Sequence, residues 1–165
     1  MRGPPHMFHL AQVNVGRLKA HIDAPEIADF KNNLDQVNAM AEASPGFVWR
    51  FTGDGNNATD VQAFEDPLMA INISVWDSVA ALGAFVYRSG HIAFMRRRRE
   101  WFHEMDNYMA LWWVLAGHRP TPEEAIARLA TLERLGPGPE AFTFKTPFPA
   151  PDAAHPPLPI LDECA

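Results

Sequence analysis

The run HIAFMRRRREWFHEMD, His91–Asp106, gathers side chains able to do chemistry. On a helical wheel at about 100° per residue, His91, Phe94, Met95, Arg98, Phe102 and Met105 share one apolar stripe. Arg96, Arg97, Glu100, His103 and Glu104 cover the opposite side. The consecutive arginines are therefore not one basic patch: Arg98 is set among apolar neighbours. A guanidinium there needs a partner, because an unpaired charge in an apolar site is costly. Arg98 either closes a structural ion pair or snorkels, with a carboxylate of the first helix as candidate partner, or holds an anionic oxygen in a pocket between helix and sheet. His91, two turns earlier on the stripe, can move a proton near neutral pH. Its structural alternatives are capping the helix start after Gly90 and a satisfied core histidine.

Three amides, Gln12, Asn14 and Asn72, interrupt apolar strand sequences. Such amides hydrogen-bond a ligand, or they bridge to loops or across a subunit seam. Trp76, Phe94 and Trp112 are the candidate apolar walls for a substrate. Tryptophans are also ordinary core and interface residues. Adjacent Trp112 and Trp113 must face opposite sides of their strand. The seven histidines contain neither an i,i+4 pair nor His-x-His, so no metal site is expected. Gly53-Asp54-Gly55-Asn56 is a turn that lacks a calcium loop's closing glutamate. There is no Gly-rich phosphate loop, nucleophile elbow or covalent haem motif.

The elements that must position these residues follow from periodicity. FHLAQVNV alternates from Phe8, with Leu10, Gln12 and Asn14 on one face and His9, Ala11, Val13 and Val15 on the other. Ala24–Ala43 is an amphipathic helix with Asp23 as its candidate cap. Phe47–Phe51 is a strand, and Ala70–Trp76 is the clearest strand, with Asn72, Ser74 and Trp76 opposite Ile71, Ile73 and Val75. Asp77 or Ser78 starts the next helix, and a long one runs from His91 to about Asp106. Ala110–Ala116 is a fourth strand. Thr121-Pro122-Glu123-Glu124 opens a last helix that Gly136 ends. The order β-α-β-β-α-β predicts an α+β, ferredoxin-like antiparallel sheet with both helices on one face, followed by an extra C-terminal helix. The other face, assigned to Trp76, would be bare and would bury itself against a second copy.

The 165 residues suit one domain, read as lead-in 1–7, domain 8–146 and Pro-rich tail 147–165. A net charge of −6 argues against a general nucleic-acid binder. The single cysteine excludes disulfide scaffolds and Cys-based metal centres. No apolar run is long enough for a membrane span, and the first residues lack a secretory signal's apolar stretch. A cytoplasmic location is expected.

The stretches HLAQVNVGRLKA, ASPGFVWRF, NISVWDSVAALGAFVYRSGH, MRRRREWF and LWWVLAGHRPTPEEA resemble an uncharacterised family of dimeric α/β-barrel proteins related to antibiotic-biosynthesis monooxygenases. The resemblance implies a homodimer with a ligand between the sheet and the helices of each subunit. It implies a small-molecule tailoring enzyme of cofactor-independent oxygenase, cyclase or isomerase type, acting on an aromatic or polyketide-like metabolite. His91 matches the histidine that often follows the Trp-Asp-Ser helix in such proteins. The alternatives are haem binding with His91 as ligand, and a non-catalytic binding module.

Overall fold

Alternating side chains make Phe8–Arg17 a strand, β1, and its position decides the architecture. A 3-10 turn at Pro25–Ile27 leads into α1, Ala28–Glu42. Then come β2 (Phe47–Arg50), β3 (Met69–Trp76), α2 (Val79–Arg88), α3 (His91–Arg96), α4 (Arg98–Trp101), β4 (Met109–Leu115) and α5 (Pro122–Leu135). The computed structural model describes residues 7–53, 64–89, 91–105 and 108–151, with His91 described in its backbone only. The lead-in before Met7, the 54–56 part of the calcium-like turn, Gly90 and the tail beyond 151 lie outside the described residues.

The sheet order is β2-β3-β1-β4, and every neighbouring pair is antiparallel. This mixed α+β arrangement is consistent with a ferredoxin-like fold. The register sets the two faces. Gln12 stands opposite Ser74, Asn14 opposite Asn72, and Leu10 opposite Trp76, so the amides and Trp76 share a face. Ala41 of α1 and Leu82 and Phe85 of α2 pack on that face.

The other face is not bare. Ala125 and Leu132 of α5, with Ala141, join Ala11, Val13, Val15, Ile71, Ile73, Val75, Ala110, Trp112 and Val114 in one core cluster. Helices on one face only is thus corrected: α5 lays its apolar stripe on the second face. That removes the reason given for a homodimer. Trp76 also belongs to the helix side, 1% exposed, with Phe85 stacked at 5.3 Å and Phe47 edge-on at 5.4 Å.

The expected single helix from His91 breaks at Arg97 (φ −87°, ψ 0°), and α4 ends where Phe102 turns extended. The chain continuing from β1 captures it there: Leu18 bridges to Phe102, and Arg17 O accepts from His103 N at 2.9 Å. Of the expected caps, Ser78 Oγ accepts from Ala81 N at 3.0 Å and Thr121 Oγ1 from Glu124 N at 3.2 Å. Asp23 instead pairs with Lys31. The start of the Pro-rich tail is docked, since Phe148 packs on Phe142 and its carbonyl accepts from Trp113 Nε1 at 2.9 Å. Among the described residues, no helix is long and apolar enough to cross a membrane.

Candidate functional site

A cavity of about 420 Å³ lies between the amide face of the sheet and α1, α2, α3 and α4. Its floor is a hydrogen-bonded network. Gln12 Nε2 donates to Asn72 Oδ1 at 2.7 Å and to Ser74 Oγ at 2.8 Å. Asn14 Nδ2 donates to Gln12 Oε1 at 3.2 Å and to Asn72 Oδ1 at 3.3 Å. Trp76 Nε1 donates to Ser74 Oγ at 2.9 Å. The Gln12 amide is used up by these bonds, and both Ser74 lone pairs accept. Among the described residues, the Asn72 amide N–H groups, the Ser74 O–H and Asn14 Oδ1 keep no protein partner. Three of these four sites belong to a donor side, so the floor suits ligand oxygens that accept.

Arg98 forms one end wall. Among the described residues no carboxylate meets this guanidinium, and Asp29 of the first helix pairs with Arg97 instead. Its Nη2 donates to Val15 O at 3.0 Å, and its charge lies 4.7 Å from the Phe102 ring centre and 4.8 Å from that of Tyr108. Both contacts are cation–π in character. Burial lowers its pKa from the ordinary arginine value, with the nearby Tyr108 opposing that shift. Gly16 makes this packing possible. A Cβ there would strike the Phe102 ring and come within 3.1 Å of Arg98 Nη2.

The walls and roof are apolar: Phe94 and Met95 of α3, Leu34, Val37 and Ala41 of α1, and Leu82 and Phe85 of α2. One residue interrupts this roof. Asn38 of α1 is 9% exposed, lines the cavity and has no hydrogen-bond partner among the described residues. Sequence reasoning missed it. The signal was present, because Asn38 follows Leu34 by four residues and precedes Ala41 by three, on the buried stripe of α1.

Of the expected site residues, Gln12, Asn14, Asn72, Trp76, Phe94 and Arg98 line this one cavity. Trp112 does not join them. Its register with Ala11 turns it to the α5 face, where it is fully buried with an indole N–H unpartnered among the described residues. His91 opens α3, one turn before Phe94 and Met95, and its side chain lies outside the described residues. Among the described residues, no three His, Cys, Asp or Glu side chains group as metal ligands do.

No curated protein matches the chain. Two solved structures are similar to it. One is NE2512, a protein of unknown function from Nitrosomonas europaea, at 16% identity and a TM-score of 0.46, covering 72% of this chain and 98% of that one. The other is PA3566 from Pseudomonas aeruginosa, at 16% identity and a TM-score of 0.46, covering 71% of this chain and 100% of that one. Neither likeness bears on what the cavity holds. A family model described as "Domain of unknown function (DUF3291)" matches residues 9–157.

Proposed function

We propose that this chain, which belongs to the DUF3291 domain family, is a small-molecule tailoring enzyme working in the cavity between its sheet and α1–α4. The reaction class is oxygenase, cyclase or isomerase chemistry on an aromatic or polyketide-like metabolite, as its resemblance to antibiotic-biosynthesis monooxygenases implies. One observation carries the reading: the half-buried Arg98 guanidinium, without a carboxylate among the described residues, faces the same cavity as the amide floor.

In this reading the half-buried Arg98 holds an anionic oxygen of the substrate. The Asn72 amide and the Ser74 hydroxyl donate to further substrate oxygens. Trp76, Phe85 and Phe94 supply apolar walls. His91, one turn from the wall residues Phe94 and Met95, takes the acid/base role. The homodimer implied by the same resemblance would use a surface other than the face that α5 covers.

The test is turnover of a panel of aromatic hydroxyketones and hydroxyquinones, read by product mass. Arg98→Met and His91→Ala should each abolish turnover without lowering the melting temperature. Full activity in both variants would move the site away from the α3–α4 wall. Binding without turnover would favour a binding module, and a Soret band in the purified protein would favour haem.

A further inference from the structure

The distribution of polar atoms along the cavity narrows the ligand, given that the cavity is a small-molecule site. The charged end is fixed. The Arg98 guanidinium stands over Gly16, bonded to Val15 O, with two aromatic rings against it. Its remaining N–H groups point from its edge, the geometry that a carboxylate meets with two oxygens. The other arginine lining the cavity, Arg50, is already paired with Glu42 at 2.7 Å. This favours one negative charge over two.

The next polar position lies two strand residues away. Gly16 pairs with Ala70, and Asn14 pairs with Asn72. Two residues of extended chain span about 7 Å. Above the sheet, α1 lines the same cavity. Leu34 packs with the Phe30/Phe102 cluster near Arg98, and Ala41 packs with Trp76 at the far end. Asn38, about 6 Å along the helix from Leu34, falls between them. An amide with no partner among the described residues, on an otherwise apolar roof, offers a ligand atom a hydrogen bond. The floor below offers the Asn72 amide donors and Asn14 Oδ1.

We infer that the ligand of this site is a slender monocarboxylate bearing a second, neutral oxygen about 7 Å from the carboxylate, gripped between Asn38 of α1 and the Asn14/Asn72 rung of the sheet. Arg98 sets the charge that is accepted, and Asn38 is the specificity-determining residue for the second oxygen. Hydroxyaryl and ketoaryl carboxylates have this shape.

The experiment uses the whole chain and the neutral fluorescent dye N-phenylnaphthylamine, displaced in turn by para-hydroxybenzoate, ortho-hydroxybenzoate, benzoate and para-hydroxybenzyl alcohol. Para-hydroxybenzoate should displace the dye at a concentration at least about tenfold below benzoate and the ortho isomer, as expected of a site built to pair a hydroxyl. The neutral alcohol should displace poorly. Asn38→Leu, or Asn38→Ala should the first fail to fold, should erase the preference for the para hydroxyl, bringing para-hydroxybenzoate to the level of benzoate in the same variant. Equal displacement by para-hydroxybenzoate and benzoate in the wild type would overturn the inference while the cavity reading stands. Failure of the dye and all four compounds to bind would overturn both.

Discussion

Arg97 Nη2 lies 2.8 Å from Asp29 Oδ2, so the α1 carboxylate meets Arg97 and leaves its neighbour Arg98 to the cavity. Asp29 first, and Glu100 after it, raise the Arg97 pKa above the ordinary value. Arg97 also lies over the Trp101 ring at 4.7 Å. One peptide bond therefore separates a surface cation with its pairs made from an inward cation without one.

Arg98→Met should not lower the melting temperature and is expected to raise it. Removing a desolvated cation that has no carboxylate partner relieves a cost, and the Met side chain keeps contact with Phe102 and Tyr108. Arg97→Ala should lower it slightly, by an amount that shrinks as salt rises, because both its pairs are exposed. Thermal denaturation at low and high salt compares the two. A large loss in Arg98→Met would mean that the bond to Val15 O and the two ring contacts outweigh the cost of desolvating the guanidinium.

Gly16→Ala should cost about 1–3 kcal/mol, the range for forcing extra volume into a packed site. The added methyl meets Phe102 and Arg98 together. Urea denaturation reads the loss, and weaker displacement of N-phenylnaphthylamine by benzoate reads the shift of Arg98.

Gln12→Leu should cost on the order of 1–3 kcal/mol, because Asn72, Ser74 and Asn14 each lose a hydrogen-bond partner at once. The hydroxyl of Ser74 keeps its bond from Trp76, so Ser74→Ala combined with Gln12→Leu should cost less than the sum of the two. A double-mutant cycle measures that difference.

The Arg17 side chain first, and the Leu68 N–H after it, hold the Asp66 carboxyl below the ordinary aspartate range. A carboxylate with its folded pKa lowered contributes stability that is present above the unfolded value and lost as pH falls through the folded one. The turn it anchors carries Pro67 and Met69, both lining the cavity. The melting temperature should therefore drop on acidification below about pH 4, and Asp66→Asn should show a shallower drop.

Much of the fold was legible because strand alternation is a local signal. The pairing of Gln12 with Ser74 and of Asn14 with Asn72 follows once both strands lie in one register. Which side of the sheet the helices cover is not a local property. Trp76 suggested an exposed aromatic face, yet the same face takes Ala41, Leu82 and Phe85. The break at Arg97 was hidden for a related reason. No glycine or proline marks it, and the helix ends because residues from the end of β1, far away in sequence, capture Phe102 and His103. Arg98 lies just past the break, and it keeps its place beside the cavity because the chain turns helical again at once in α4. Asn38 was missed because one amide within an amphipathic helix is unremarkable until its missing partner is seen.

Leu132→Ala should cost about 2–5 kcal/mol, the range for a large-to-small change in a core. Leu132 is 6% exposed and packs α5 on the sheet. Light scattering should show association in a chain cut before Pro122, because Val13, Ile73 and Val75 would then face water.

The central place of β1 bears on how fast the chain can fold. It is the earliest strand in the sequence, yet it is flanked by β3 and β4, with Phe8 opposite Leu115. A ribosome makes β1 long before either neighbour, so its backbone hydrogen bonds wait for most of the domain to emerge. Such long-range closure slows folding and prolongs the exposure of unpaired strand edges. Val13 and Val15, on the face reserved for α5, wait longest. During synthesis the apolar side of β1 therefore stays open to contact with other chains until the last helix arrives.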